Sequence, residues 1–246
     1  MSEYGQVLVT GAGGGIGSAI VAELARVGYS VTATDLRFAE GTERLSGVTY
    51  LEADLLNQEE IETLLAGISG GKLKGLVNAA GVAFFDHDGS VFELSEETWS
   101  RTLGVNLNGM RLTTKAALPL LRQEENASIV NIASIAGTRG MDSPLDAYQV
   151  SKAAVVSLSR SMALQLGPEG IRCNTVCPGA ILTPMIDFLY ERSPERRTDM
   201  ELRTPMRRLG LPSEIATAVE FLLSDRASFV TATDLVVDGG WSMQTK

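Results

Sequence analysis

Gln6-Val7-Leu8-Val9-Thr10-Gly11-Ala12-Gly13-Gly14-Gly15-Ile16-Gly17 is the stretch on which the reading of the fold turns. Its first five residues are a short run rich in β-branched side chains, as in a buried parallel strand. Glycines follow at once, and Ser18 to Val27 then takes up a helical pattern. Strand, glycine turn and helix in that order make a cradle for phosphate, because a helix N-terminus offers unpaired amides and partial positive charge. The spacing is T-G-x-x-x-G-x-G rather than G-x-G-x-x-G, since position 16 is Ile. Gly11 allows a tight exit from the strand, and Gly15 and Gly17 let backbone amides approach a pyrophosphate where a Cβ would obstruct.

Outward from that turn, Ser30 to Thr34 reads as a second buried strand ending at Asp35. A carboxylate about twenty residues past the glycine turn accepts both ribose hydroxyls of an adenosine and repels a 2′-phosphate, which favours NAD over NADP. Arg37 stands two residues on, where it would reach a 2′-phosphate if the loop folded back; a solvated surface residue is the other reading. Val48 to Ala53 gives a third strand with Asp54 at its end. A helix from Asn57 to Ile68 follows, with Asn57 as N-cap and Glu59-Glu60 in its first turn. Leu73 to Val77 is a fourth strand, and the small residues of Asn78-Ala79-Ala80-Gly81 leave room at its carboxyl end for a cofactor.

A long helix is expected from the capping-box-like Ser95-Glu96-Glu97-Thr98 to about Leu121, with Asn106 and Asn108 inside it. Ala127 to Ile132 is a fifth strand, leading into Ala133-Ser134. The helix carrying Tyr148 runs to about Leu166, and residues 171 to 177 form a sixth strand before Pro178-Gly179. After an irregular stretch, a helix from Ser213 to Leu223 and a last strand, Asp234 to Val237, complete the pattern. Strands alternating with helices imply one domain, a doubly wound parallel α/β sheet of about seven strands with helices on both faces.

Tyr148 and Lys152 are four residues apart in a helical run, which puts a phenol and an ammonium on one face. A free phenol titrates near 10, so a Tyr that exchanges protons near neutrality needs a positive charge beside it. Lys152 is placed to supply that charge.

Together the motifs Thr10-Gly11-x-x-x-Gly15-Ile16-Gly17, Asp54, Asn78-Ala79-Ala80-Gly81, Asn106, Ser134, Tyr148-x-x-x-Lys152 and Pro178-Gly179 resemble those of a classical short-chain dehydrogenase/reductase over essentially the whole chain. The resemblance implies a Rossmann fold and a hydride transfer between NAD and a secondary alcohol or its ketone. It implies Tyr148 as general acid/base, Ser134 holding the substrate oxygen, and Lys152 lowering the Tyr148 pKa and binding the nicotinamide ribose. Asn106 would fix a water in a proton relay. For the cofactor it implies Gly11, Gly13, Gly15, Ile16, Gly17, Asp35, Leu36, Asp54, Leu55, Asn78, Ala79, Ala80, Gly81, Tyr148, Lys152, Pro178, Gly179, Ile181 and Thr183, with Thr10 bracing the turn. The third motif departs from the more usual Asn-Asn-Ala-Gly. A homotetramer is the family expectation, with the long helix near Leu112 and Ala116 and the Tyr148 helix near Val155 and Leu158 pairing across a two-fold axis; full burial of these residues against the sheet is the other reading.

Substrate choice in such proteins rests on variable segments, here Thr138 to Asp146 and Pro184 to about Leu209. Arg192, Arg196, Arg197, Arg203, Arg207 and Arg208 in the second read as a salt-bridged amphipathic surface in preference to an anion site. Arg139, just past Ser134, is a candidate anchor for a substrate carboxylate. An alcohol or dihydrodiol dehydrogenase is the first reading, a reductase of 3-oxoacyl thioesters or other ketones the alternative, and a non-catalytic dinucleotide sensor the reading from another class.

Composition narrows the rest. A net charge of -9 repels phosphate backbones, which argues against nucleic-acid partners. No run has the length of a membrane span, and the cytoplasm is the expected location. Cys173 and Cys177 lie in an apolar strand and read as core residues; a lone His87, in the polar loop Asp86-His87-Asp88-Gly89, reads as a solvated turn, so no metal site is expected.

Overall fold

The strands of the computed structural model, which describes residues 4–141 and 144–243, are β1 (Gln6–Thr10), β2 (Ser30–Asp35), β3 (Val48–Glu52), β4 (Gly75–Asn78), β5 (Ser128–Ile132), β6 (Arg172–Pro178) and β7 (Asp234–Val237). All pair in parallel, in the order β3-β2-β1-β4-β5-β6-β7. The chain therefore reverses its direction of travel between β1 and β4, and ligands of such sheets bind beyond the strand ends at that point.

Both faces are covered, so the central strands are largely apolar. On one face α1 (Gly15–Val27) and α8 (Pro212–Leu223) bring Ile20, Leu24, Ile215 and Leu222 onto Val7, Val9, Val77 and Val130. On the other, α2 (Gln58–Ala66), α4 (Met110–Leu121) and α5 (Asp146–Leu166) bring Ile61, Leu64, Leu121 and Ala163 onto Leu8, Leu76, Ile129 and Cys173. Both cysteines are free and buried, as core residues. The side chains of Leu8, Leu24, Leu76 and Leu121 are fully excluded from water, each worth about 1.5–3 kcal/mol.

Buried Thr32, Ser128, Arg172 and Asn174 depart from the apolar pattern, as does one row that runs across the sheet. Thr34, Thr10, Asn78, Asn131, Thr175 and Asp234 lie in register across six strands, near the carboxyl ends of β2, β1, β4 and β5, in the middle of β6 and at the start of β7, and all but Asp234 are buried. Asn78 Nδ2 donates to Asn131 Oδ1 (2.8 Å) and Thr114 Oγ1 (3.1 Å), and Asn131 Nδ2 donates to Ser159 Oγ (2.8 Å). The row thus fastens β4 and β5 to α4 and α5.

The caps expected at Asn57 and Ser95 are present: Asn57 accepts from the Glu59 amide and Ser95 from the Thr98 amide. The expected long helix is not continuous. It runs as α3 (Glu96–Leu103), a π-helical turn at Gly104–Gly109 and α4. The wide turn, bounded by two glycines, carries Asn106, and such insertions re-aim side chains at functional sites. The stretch after β6 holds two helices, α6 (Pro184–Arg192) and α7 (Pro194–Arg203). On and after α7, Arg197 pairs with Glu201 (3.0 Å), Arg203 with Asp199 (2.8 Å) and Arg208 with Glu214 (2.6 Å), the salt-bridged surface that its alternating charges imply. Val155 is fully covered by the core, and Leu112, Ala116 and Leu158 are partly buried against the sheet side of their helices.

Candidate active site

The glycine turn closes on itself and on β4. Gly11 has φ +67°, and a Cβ there would lie 2.5 Å from the Ala80 nitrogen; a Cβ on Gly17 would lie 2.0 Å from the Gly11 carbonyl oxygen. Thr10 Oγ1 accepts from the amides of Ala79 (3.2 Å) and Ala80 (3.3 Å), bracing the turn against the Asn78–Gly81 segment as expected. No side chain caps α1, whose N-cap is Gly14, so its first amides remain available to an anion. A Cβ on Gly15 would meet Thr183 and Pro184 at 3.0 Å, which places the segment after Pro178-Gly179 directly over the turn.

At the end of β2 the Asp35 carboxylate accepts from the Gly13 amide (2.9 Å) and the Leu36 amide (2.7 Å), which fixes it at the rim of the turn. Beyond it, the Arg44 guanidinium stacks on Phe38 (4.9 Å) and Tyr50 (4.4 Å), ordering the β2–β3 loop. Arg37 is exposed, and no ion pair holds it among the described residues. Asp54 Oδ1 accepts from Leu56 N (2.9 Å) in the turn that also contains Leu55.

Asn106, Ser134, Tyr148 and Lys152 come from the π-turn, the end of β5 and the first two turns of α5. Ser134 Oγ accepts from Ala136 N (3.1 Å), and a side-chain hydrogen bond with Tyr148 offsets part of the burial that pushes this phenol above its ordinary value. Lys152 is buried and donates to the Ile132 carbonyl (2.9 Å), with its Nζ 5.7 Å from the centre of the Tyr148 ring. Desolvation lowers its pKa from 10.5 to about 8. In the free protein, then, Lys152 does not bring the phenol down; burial dominates both groups.

Asn106 holds both backbone groups of Val82, accepting from its amide (2.7 Å) and donating to its carbonyl (3.0 Å). It also donates to Ser151 Oγ (2.9 Å), which donates to the Tyr148 carbonyl (2.7 Å). A Cβ on Gly81 would sit 3.2 Å from Lys152 Nζ and 3.4 Å from Asn106 Oδ1, so the glycine is what lets Lys152 and Asn106 converge.

Arg139 turns elsewhere. Its Nη1 donates to the Trp241 carbonyl (3.1 Å) and its Nε to the Gly140 carbonyl (3.4 Å), tying the loop before α5 to the C-terminal tail. Asp142 and Ser143 of the first variable segment lie outside the described residues. His87 is exposed in a turn, whereas its neighbour Asp88 is buried and accepts from the amides of Ala147 (3.2 Å) and Tyr148 (2.9 Å). Sequence reasoning passes over Asp88, Asn131 and Ser151; a polar residue inside the apolar Ala127–Ile132 run is a signal for Asn131, and nothing local marks Asp88.

The family model described as enoyl-(acyl carrier protein) reductase matches residues 11–242, a span that contains every motif above from Gly11 onward. The chain belongs to the short-chain dehydrogenase/reductase family. A 2-keto-3-deoxy-L-fuconate dehydrogenase of Xanthomonas campestris pv. campestris is 35% identical over 244 residues, covering 96% of this chain and 79% of that one. A 2-(S)-hydroxypropyl-CoM dehydrogenase of Xanthobacter autotrophicus is 37% identical over 246 residues, covering 95% of each. Among solved structures, the ligand-free aldohexose dehydrogenase of Thermoplasma acidophilum superposes with a TM-score of 0.90 at 34% identity, covering 98% of this chain and 94% of that one. The chain is accordingly an oxidoreductase that exchanges hydride between a nicotinamide cofactor and a secondary alcohol or its ketone. Among the described residues no helix is long and apolar enough to cross a membrane.

Proposed function

We propose that this protein is an NAD-dependent dehydrogenase of a small hydroxylated substrate, a diol, sugar or hydroxy acid. The observation that carries the cofactor choice is the Asp35 carboxylate, pinned by Gly13 and Leu36 at the rim of the glycine turn. Fixed there, its remaining lone pairs suit the two ribose hydroxyls, and its charge opposes a 2′-phosphate. The uncapped start of α1 and the Cβ-free surface at Gly11, Gly15 and Gly17 fit the pyrophosphate, with Leu36, Asp54 and Leu55 around the adenine. Ala79 to Gly81, Pro178, Gly179, Ile181 and Thr183 border the nicotinamide half.

Bound nicotinamide supplies the hydride acceptor and, when oxidised, a positive charge. In this arrangement Ser134 holds the substrate oxygen, and Tyr148 takes its proton during oxidation or returns it during reduction. Burial keeps the unliganded Tyr148 protonated at neutral pH, so oxidation requires the phenolate to be favoured by Lys152 and by the cofactor's charge together. Asn106 and Ser151 hold the backbone on which Lys152 and Tyr148 sit.

The substrate class is supported by the relatives named for a keto-deoxy sugar acid and a hydroxypropyl compound, and by the aldohexose enzyme. A second reading, NADPH-dependent reduction of a 3-oxoacyl thioester or other ketone, is favoured by the exposed Arg37. Parallel titration with NADH and NADPH, read by nicotinamide fluorescence, separates them. Tight NADH with weak NADPH supports the dehydrogenase; the reverse overturns it. Exposed Val150 and Leu164 on α5 and Phe229 and Val236 near β7 suit the tetramer expected of the family, which light scattering would test. The cytoplasm suits two free thiols.

A further inference from the structure

We infer that Asp88 is a positioning residue for Tyr148: its carboxylate supplies from a distant loop the N-terminal cap that the catalytic helix lacks. The residue preceding α5 is Leu145, which has no side-chain acceptor, and no side chain at the cap position bonds the first turn. A helix begun that way leaves its first amides unpaired. Asp88 takes two of them, Oδ1 from Ala147 and Oδ2 from Tyr148, the second and third residues of the helix. These are the amides that an N-cap side chain ordinarily satisfies. Asp88 is 9% exposed and has no cation within ion-pair distance among the described residues, so the two amides and the positive end of α5 are what compensate its charge.

The loop that carries Asp88 is fastened at both ends to the catalytic groups. Asn106 grips Val82 at its start. Near its end the contact is reciprocal, since Asp146 N donates to the Gly89 carbonyl and Asp146 Oδ2 accepts from Val91 N (2.8 Å). Lys152, one turn further along, is independently held by the Ile132 carbonyl. Loss of Asp88 therefore loosens the turn bearing the Tyr148 phenol while leaving the ammonium in place, and the phenol loses its alignment with Ser134.

The inference rests on the proposed function for the role of Tyr148, but its first test needs no ligand. Hydrogen exchange of the full chain, followed by mass spectrometry, is compared for wild type, Asp88→Ala and Asp88→Asn. The Ala variant is expected to exchange at least about tenfold faster over residues 146–150, with β6 and α8 unchanged, and Asn, with one acceptor, to fall between. Turnover of the probe butane-2,3-diol with NAD is expected to fall about ten- to a hundredfold at KM within about twofold, with partial rescue by Asn. Unchanged exchange at the start of α5, acceleration spread equally over the whole sheet, or local opening at undiminished turnover would each overturn the assignment. Should the Ala variant not fold, Asp88→Asn carries the test, and its leaving the 146–150 amides as protected as wild type refutes the cap. A wild type inactive on this probe counts against the proposed substrate range alone, the exchange result standing by itself.

Discussion

Replacing Lys152 by Met should make the free protein more stable and nearly inactive. Each pKa step of one is worth about 1.4 kcal/mol, so the fall from 10.5 to about 8 means that carrying the charge costs about 3 kcal/mol in the fold relative to the unfolded chain. Met fills a similar volume without the charge but gives up the bond to the Ile132 carbonyl, worth about 1 kcal/mol for a neutral donor. The net gain at pH 7 is about 2 kcal/mol. Its pH dependence follows from the sign of the shift: below about 8 the wild-type amine is charged in both states and the full cost applies. Between about 8 and 10.5 the unfolded chain holds more protons than the native one, so wild-type stability rises with pH and the advantage of Met fades. Urea unfolding of the cofactor-free proteins at pH 7 and near pH 10 measures this. A Met variant less stable at pH 7, or a gain that ignores pH, would refute the idea that the ammonium is held at a cost for the sake of the reaction.

Tyr148→Phe is expected to lower turnover by about 10²- to 10⁴-fold while NADH affinity stays within about twofold, because only the proton-transferring oxygen is lost; steady-state kinetics beside a fluorescence titration checks both. Gly17→Ala puts a methyl 2.0 Å from the Gly11 carbonyl oxygen and should cost about 3 kcal/mol in urea unfolding together with most of the cofactor affinity. Gly140→Ala, with no atom within 4 Å of the added carbon, should change neither. Asn131→Ala leaves the Asn78 amide short of an acceptor and the Ser159 hydroxyl short of a donor, both buried, and should lower the unfolding free energy by about 3 kcal/mol.

What the sequence makes legible is whatever repeats locally. The apolar runs at 6–10 and 30–34, the glycine turn and the caps at Asn57 and Ser95 each carry their own short-range signal, and the structure places them where that signal points. The break in the long helix is hidden because Gly104–Gly109 still reads as helical; it coincides with the grip of Asn106 on Val82, a contact between residues 24 apart in the chain. Asp88 is hidden for the same reason, since its partners in α5 lie 59 and 60 positions away. The relation of Tyr148 to Lys152 is legible as spacing but not as energetics: burial, which no short stretch reveals, raises the Tyr148 pKa against the expected direction and lowers that of Lys152.

The polar row across the sheet has a consequence for how the strands find one another. Strands buried on both faces carry no alternation of apolar and polar residues, so sliding one of them by two positions keeps every side chain on its own face and still matches apolar to apolar. Such a slip between β4 and β5 would set Asn78 and Asn131 against aliphatic neighbours, each amide stranded at about 1–3 kcal/mol. The same holds for Thr10 against the Asn78–Ala80 backbone and for Thr175 against Asp234. The row works as an alignment key: aliphatic burial draws the strands together in many nearly equal offsets, and a line of amides and hydroxyls favours the one in which most of them are paired, Thr34 Oγ1 and Asn78 Oδ1 being the row's unpaired atoms, the offset that also brings the glycine turn level with Gly81.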